Sequence, residues 1–232
     1  MNDKFTLPIS IIIAGLLIGG GIYLNGKMES EKTPTPNKVM SDNAKNSIRP
    51  IDANDHILGS SKARVIVVEY SDTECSFCKQ FHSTMLRIMK EYGTNERVAW
   101  VYRHFPIPEI HKKAAKEAEA LECAAELGGN AKFWEYTNRL YEVTPSDDGL
   151  DPKELTNIAK YVGLPSDKFD TCLESGQYAP RVEMDANNAK EMGASGTPYS
   201  VLIDTKTGEH YPLEGAYPYT QLKAAIDLIL ES

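Results

Sequence analysis

Two cysteines separated by two residues, Cys75-Ser76-Phe77-Cys78, are the residues of this sequence best suited to chemistry. They follow a short apolar run and open a segment with apolar residues at helical spacing, so we expect Cys75 at a helix N-terminus. Free backbone N–H groups and the helix dipole favour a thiolate there. Cys78 lies one turn later on the same face, close enough to form a disulfide. The context favours a redox-active pair over half a zinc site or a passive disulfide.

The other two cysteines, Cys123 and Cys172, fall in a part of the chain with helical texture. A bridge between them would restrict the unfolded chain by roughly 3–4 kcal/mol in the loop-entropy model. Two buried free thiols would instead behave as small apolar residues. A stable bridge requires an oxidising compartment. A four-cysteine zinc site is disfavoured because the sequence has no second C-x-x-C, and we expect neither a metal ion nor an organic cofactor.

Glu69 interrupts the apolar run that precedes Cys75. If that strand is covered on both faces, burial should raise the pKa of the carboxyl and allow it to exchange protons with the resolving thiol. An edge position would leave it solvated instead. Arg103 or His104 could partner it. Gly196-Thr197-Pro198 stands just before another strand, where proline marks a strand start or a turn, with a cis bond as one option.

His82, four residues after Cys78, could add a ligand near the thiols, so copper or zinc handling is one alternative reading. We expect instead a surface position on the helix. Trp100 and Trp134 are expected to be core or interface aromatics.

The order of the elements predicts an α/β sheet with a helical insertion. Strands are expected at 65–70 and 97–103 around a helix at 75–92, then a hairpin at 199–204 and 209–213 and a terminal amphipathic helix. Between them the chain has helical texture for about 90 residues, with glycine and proline signals at the predicted ends. The predicted helices cover about 112–128, 133–141, 151–163, 169–174 and 181–192.

The N-terminal 54 residues differ in composition from the rest of the chain. Residues 5–26 contain no charged side chain and could cross a hydrocarbon core of about 30 Å. We expect residues 1–26 to be an uncleaved signal anchor in preference to a cleaved signal peptide. Residues 27–54 are polar, which predicts a disordered linker, and residues 55–232 form one domain. The net charge of -8 argues against nucleic acid as a partner.

Several motifs together resemble the DsbA-like thiol:disulfide oxidoreductases of the thioredoxin superfamily. They are Asp55-His-Ile-Leu-Gly59, VVEYSDTECSFC (67–78), RHFP (103–106), the alanine-rich helix with Cys123, and GASGTP (193–198). The resemblance covers about residues 55–232. It implies a thioredoxin fold built from about 55–105 and 193–232, with a helical domain inserted at about 106–192.

The resemblance also implies residue roles. Cys75 would be the attacking cysteine and Cys78 its partner, Glu69 the buried acid, and Pro198 a cis-proline with Thr197 beside the disulfide. Many relatives carry a second disulfide in the helical domain, which here would join the two remaining cysteines, Cys123 and Cys172.

Two departures from the family concern the direction of the reaction. Ser76-Phe77 replaces the Pro-His of the strongest oxidases, which implies a milder oxidant, and threonine before the cis-proline also occurs in isomerases and reductases. The sequence thus predicts an oxidoreductase at the periplasmic, extracytoplasmic face of a bacterial cell envelope, held in the membrane by residues 5–26. It would oxidise unfolded or newly exported cysteine-containing proteins and be reset by a membrane or extracytoplasmic redox partner. The alternatives are a reductase or isomerase of the same fold, and a non-enzymatic copper- or zinc-binding domain.

Overall fold

The computed structural model describes Met40 and residues 48–232. The predicted anchor, 1–26, and most of the predicted linker lie outside the described residues. Among the helices of the described part, none is long and apolar enough to cross a membrane.

One five-stranded sheet organises the described residues. Its strands are β1 (His56–Leu58), β2 (Val65–Ser71), β3 (Val98–His104), β4 (Tyr199–Asp204) and β5 (His210–Glu214), in the spatial order β1-β3-β2-β4-β5. The central strand β2 runs parallel to β3 and antiparallel to β4. The two outer strands pair antiparallel, β1 with β3 and β5 with β4.

Six α-helices complete the described fold. They are α1 (Ser76–Tyr92), α2 (Ala114–Val143), α3 (Lys153–Tyr161), α4 (Ser166–Ser175), α5 (Ala179–Glu191) and α6 (Tyr219–Glu231). Helices α2 to α5 lie between β3 and β4 in the chain, so they are the predicted helical insertion. Within α2 the backbone leaves helical geometry at Gly129 (φ 72°, ψ -171°), where the sequence predicts a helix end.

The strand β2 carries the core on both of its faces. Its seven residues are all buried, as expected for a strand with an almost continuous apolar run. Val65 and Val67 belong to the apolar cluster formed with α1, α2 and α6, while Ile66, Val68 and Tyr70 belong to a second cluster that includes α5. The carboxyl end of this doubly covered strand leads directly to the C-x-x-C motif.

The packed domain begins before the predicted boundary at residue 55. The Arg49 guanidinium lies 2.6 Å from a carboxylate oxygen of Asp55 and 3.2 Å from one of Asp185. Ile48 and Ile51 pack against the cluster that includes α5. The polar composition of residues 48–54 predicts a linker, because composition alone does not reveal these long-range contacts.

Candidate active site

The turn between β2 and α1 presents both cysteines of the C-x-x-C motif. Cys75 is the N-cap residue of α1 with extended backbone (φ -77°, ψ 120°), and Cys78 lies in the first turn. Cys75 is 8% exposed and Cys78 is fully buried. Both cysteines carry free thiols.

The two thiols differ in acidity. The pKa of Cys75 is lowered to about 6, mainly by a hydrogen bond from Cys78, with smaller contributions from Thr197 and from the backbone N–H groups of Phe77 and Cys78. The pKa of Cys78 is raised, first by burial and then by the neighbouring sulfur of Cys75 and the charge of Glu69. The pair titrates as a coupled unit. A helix N-terminus contributes as the sequence predicts, but the partner thiol is the larger cause.

The loop before β4 faces the acidic thiol. The bond between Thr197 and Pro198 is cis, and the Thr197 carbonyl oxygen lies 3.5 Å from the Cys75 sulfur. Tyr199 then starts β4 and pairs with Tyr70 near the carboxyl end of β2. Sheet pairing therefore holds this loop beside the cysteines.

Glu69 is buried behind the cysteines. Its side chain has no exposed surface, and the Trp100 indole N–H donates to one carboxylate oxygen over 2.8 Å. Burial raises the pKa of Glu69 to about 7, although hydrogen bonds with Ser71 and Trp100 act in the opposite direction. The charge of this carboxylate is one of the causes that raise the pKa of Cys78. Glu69 is thus a carboxyl that can change protonation near neutral pH and interacts electrostatically with the buried thiol.

The expectation that Arg103 or His104 would partner Glu69 is wrong. Glu69 stands opposite Tyr102 in the sheet, so Arg103 on the neighbouring position points to the other face. There its Nε donates to Asp55 over 2.9 Å. His104 shares the face of Glu69, but its Nε2 bonds to a carboxylate oxygen of Glu122 on α2 at 2.8 Å.

The expected surface position of His82 is also wrong. His82 is 2% exposed, its Nε2 lies 2.8 Å from the Asn138 side-chain oxygen, and its ring stacks on Tyr141 at 4.5 Å between centroids. Helix α2 covers this face of α1, and burial lowers the pKa of His82 to about 4. Within residues 48–232 and Met40 there is no group of three or more His, Cys, Asp or Glu side chains that could hold a metal ion.

Near Cys75 the structure brings together buried acidic residues for which the sequence predicts no role. Glu74 is fully buried, and its carboxylate accepts the backbone N–H groups of Gly149 (3.3 Å) and Leu150 (3.4 Å). Burial, together with a hydrogen bond to Glu74, raises the pKa of Glu117 on α2 to about 9. The sequence feature that could have indicated this group is the presence of two acidic residues among the four that precede the C-x-x-C motif.

The other two cysteines are joined to each other. Cys123 on α2 and Cys172 on α4 form a disulfide with 5.8 Å between their Cα atoms. The bridge holds two helices of the insertion together.

A sheet of this order, with a C-x-x-C at the start of the helix after its central strand and a cis-proline facing it, defines a thioredoxin-like protein. The family model Thioredoxin_4, described as Thioredoxin, matches residues 52–227. The chain belongs to this family.

Known proteins and structures show the same relationship. The crystal structure of Pseudomonas aeruginosa DsbA2 is 27% identical, with a TM-score of 0.65 over 79% of this chain and 98% of that one. A Rickettsia felis protein with the provisional name of protein-disulfide oxidoreductase is 27% identical over 196 residues, or 78% of this chain and 62% of that protein. A Salinispora tropica protein named Na(+)/H(+) antiporter NhaA 3 is 35% identical over 150 residues, or 64% of this chain. The chain spans about a quarter of the length of the antiporter relatives that it matches.

Proposed function

We propose that this chain is a thiol:disulfide oxidoreductase that donates the Cys75–Cys78 disulfide to thiols of exported proteins. The observation that carries the proposal is the contrast between an acidic Cys75 and a buried, much less acidic Cys78 beside the cis-proline loop. With a pKa of about 6, roughly nine tenths of Cys75 is thiolate at pH 7. Such a thiolate is a good leaving group, and it stabilises the reduced protein relative to the disulfide. Both effects favour oxidation of substrates.

The reaction consists of two exchanges. A substrate thiolate attacks the Cys75 sulfur of the oxidised protein, the Cys75–Cys78 bond breaks, and Cys78 leaves with a proton from Glu69. A second substrate thiolate attacks the substrate sulfur of this mixed disulfide and releases Cys75 as a thiolate. The substrate loses two electrons and gains a disulfide, and the protein gains a dithiol. Glu69 suits the proton transfer because its pKa of about 7 allows both states near neutral pH.

The surface around Cys75 suits an extended, apolar substrate segment. The backbone at Thr197-Pro198 lies beside the sulfur, where an extended chain could pair with it in the manner of a strand. Phe77, between the two cysteines, is 63% exposed. An exposed aromatic ring at this point would contact the apolar side chains that unfolded proteins present.

The proposal includes a location outside the cytoplasm, at the periplasmic face of a bacterial envelope, with residues 1–26 as the membrane anchor. The disulfide between Cys123 and Cys172 supports it, because such bonds persist in oxidising compartments. A membrane or extracytoplasmic redox protein would reoxidise the Cys75–Cys78 pair.

The test measures disulfide formation in a reduced, unfolded protein substrate by the full-length chain with oxidised glutathione. Cys75→Ser should abolish the transfer, and Cys78→Ser should accumulate a mixed disulfide at Cys75. The matched control, Cys123→Ala with Cys172→Ala, should retain the activity. Full transfer by Cys75→Ser would contradict the proposal.

The reverse direction, as a reductase or isomerase, is a second candidate because threonine precedes the cis-proline at position 197. Acid quenching and alkylation of the protein in cells distinguish the two. An oxidase should be recovered mainly with the Cys75–Cys78 disulfide, whereas a mainly reduced pair would favour the reverse direction.

A further inference from the structure

His111 lies in the loop that leads from β3 into the helical insertion and has no role in the steps above. Its backbone N–H and that of Ile110 both donate to the Ile107 carbonyl oxygen, over 2.9 and 3.1 Å. Ile110 is 64% exposed, whereas His111 is only 6% exposed. The turn thus directs one side chain outward and buries the imidazole.

Asp72 connects this imidazole to the cysteines. One carboxylate oxygen of Asp72 accepts His111 Nδ1 at 3.0 Å and the Ile107 N–H at 2.8 Å. The backbone of the same residue contacts both thiol residues: its carbonyl oxygen accepts the Cys75 N–H at 3.2 Å, and its N–H donates to the Cys78 sulfur at 3.5 Å. His111 is therefore fixed to the short segment whose backbone holds the redox pair.

The surroundings of His111 favour its cationic form. Burial acts to lower its pKa, but the hydrogen bond and charge of Asp72, followed by the charges of Cys75 and Asp147, raise it above the ordinary value. Asp147 lies 3.8 Å from Nε2, on the other side of the ring from Asp72, and Asp148 also interacts with the imidazole charge. Three carboxylates and the active-site sulfur thus all favour protonation of the imidazole.

The residues between the cysteines provide no such charge. Ser76 and Phe77 are neutral, and the Lys79 ammonium in the first turn of α1 donates to the Thr144 carbonyl oxygen over 2.6 Å. No hydrogen bond within the described residues joins His111 to Cys75, so the interaction between them is one of charge.

We propose that His111 is a positioning residue for the thiolate: held by Asp72, its positive charge stabilises the anionic sulfur of Cys75 and makes the disulfide a stronger oxidant. The inference rests on the proposed function. Hydrogen bonds contribute most to the acidity of Cys75, so the share of His111 is the smaller one. Loss of the imidazole would remove a cation and also leave the Asp72 carboxylate without its partner, and both changes disfavour the thiolate.

The experiment compares the full-length chain with His111→Gln, and with His210→Gln as the matched control. His210 pairs with Ile203 at the end of the sheet opposite the cysteines. Thiolate absorbance against pH gives the ionisation constant of Cys75. We expect His111→Gln to decrease this constant roughly three- to tenfold. In a glutathione buffer the same variant should be more fully oxidised than the wild type. His210→Gln should change neither quantity.

A second measurement uses the unmodified protein, so its result does not depend on whether a variant folds. The NMR titration of His111 in the unmodified chain, reduced and oxidised, should show a lower pKa after oxidation, because the thiolate charge is then gone. A Cys75 ionisation constant that changes less than twofold in His111→Gln would overturn the inference. So would an imidazole that titrates identically in both redox states. Either result leaves the proposed function standing, because that depends on the Cys75→Ser experiment alone.

Discussion

Replacement of Glu69 by glutamine tests the electrostatic description of the site with a stability measurement. Burial raises the pKa of this carboxyl from an ordinary value near 4.5 to about 7. In this pH interval the folded protein holds a proton that the unfolded chain has already released. The stability contributed by the neutral acid is therefore complete below about pH 4.5 and is lost as the pH rises through 7.

The size of the effect follows from the same values. Each tenfold difference in an ionisation constant corresponds to about 1.4 kcal/mol, so an ionised Glu69 costs the folded state roughly 3 kcal/mol at pH 8. Glutamine has almost the same shape and keeps an oxygen that accepts the Trp100 N–H, but it carries no charge. We expect Glu69→Gln to raise the free energy of unfolding by about that amount at pH 8 and to change it little at pH 4.5.

The assay is urea denaturation of the oxidised protein at several pH values, because the disulfide form has no titrating thiols at the site. Glu122→Gln is the control, because the pKa of Glu122 is shifted in the opposite direction and the expected change in stability has the opposite sign. The Glu122 carboxylate is also buried, but hydrogen bonds with His104 and His56 outweigh burial and lower its pKa. This variant should be less stable than the wild type at pH 7, and the loss should shrink as the pH falls. A stability difference for Glu69→Gln that is the same at pH 4.5 and pH 8 would refute the argument.

Three further predictions follow from the cysteines and their surroundings. Cys78→Ala should raise the pKa of Cys75, because it removes the strongest hydrogen bond to the thiolate; thiolate absorbance measures this, and an unchanged pKa would contradict it. Cys123→Ala with Cys172→Ala should lower the free energy of unfolding by about 3–4 kcal/mol in urea denaturation, while leaving the pKa of Cys75 unaffected. Glu117→Gln should raise the melting temperature in alkaline solution but not at pH 5, since the raised pKa means that ionisation of this buried acid opposes folding; equal melting temperatures at pH 9 would exclude this.

The elements with strong local signals were predictable from the sequence. The apolar run of β2, the apolar spacing of α1 and the helical texture of the insertion all describe properties of neighbouring residues. Strand β1 was not predicted, because three residues are too few for a periodic pattern. It exists through pairing with β3, which sets His56 opposite Tyr102 and Leu58 opposite Trp100. That pairing depends on contacts between distant parts of the chain.

The difference between local patterns and long-range contacts also explains the two wrong predictions at the site, which concern the partner of Glu69 and the position of His82. The burial of Glu69 could be inferred because its neighbours in the strand are apolar. Its partner could not, because the choice among Trp100, Arg103 and His104 depends on strand register and on which side chains alternate to the same face. The sequence of α1 predicts a surface position for His82, because it does not show that α2 covers that side.

The contacts of Glu74 limit how freely the helical insertion can be exchanged. The backbone N–H of Asp147 donates to the Glu74 carbonyl oxygen over 2.8 Å, and the N–H groups of Gly149 and Leu150 donate to its carboxylate. The loop that shapes the redox site therefore depends on amides from a different part of the chain. A chimaera with another insertion would leave a buried carboxylate without donors unless position 74 changed as well. The loop that follows β2 and the helical insertion therefore depend on each other, and a design that replaces the insertion must also change the residues that contact it.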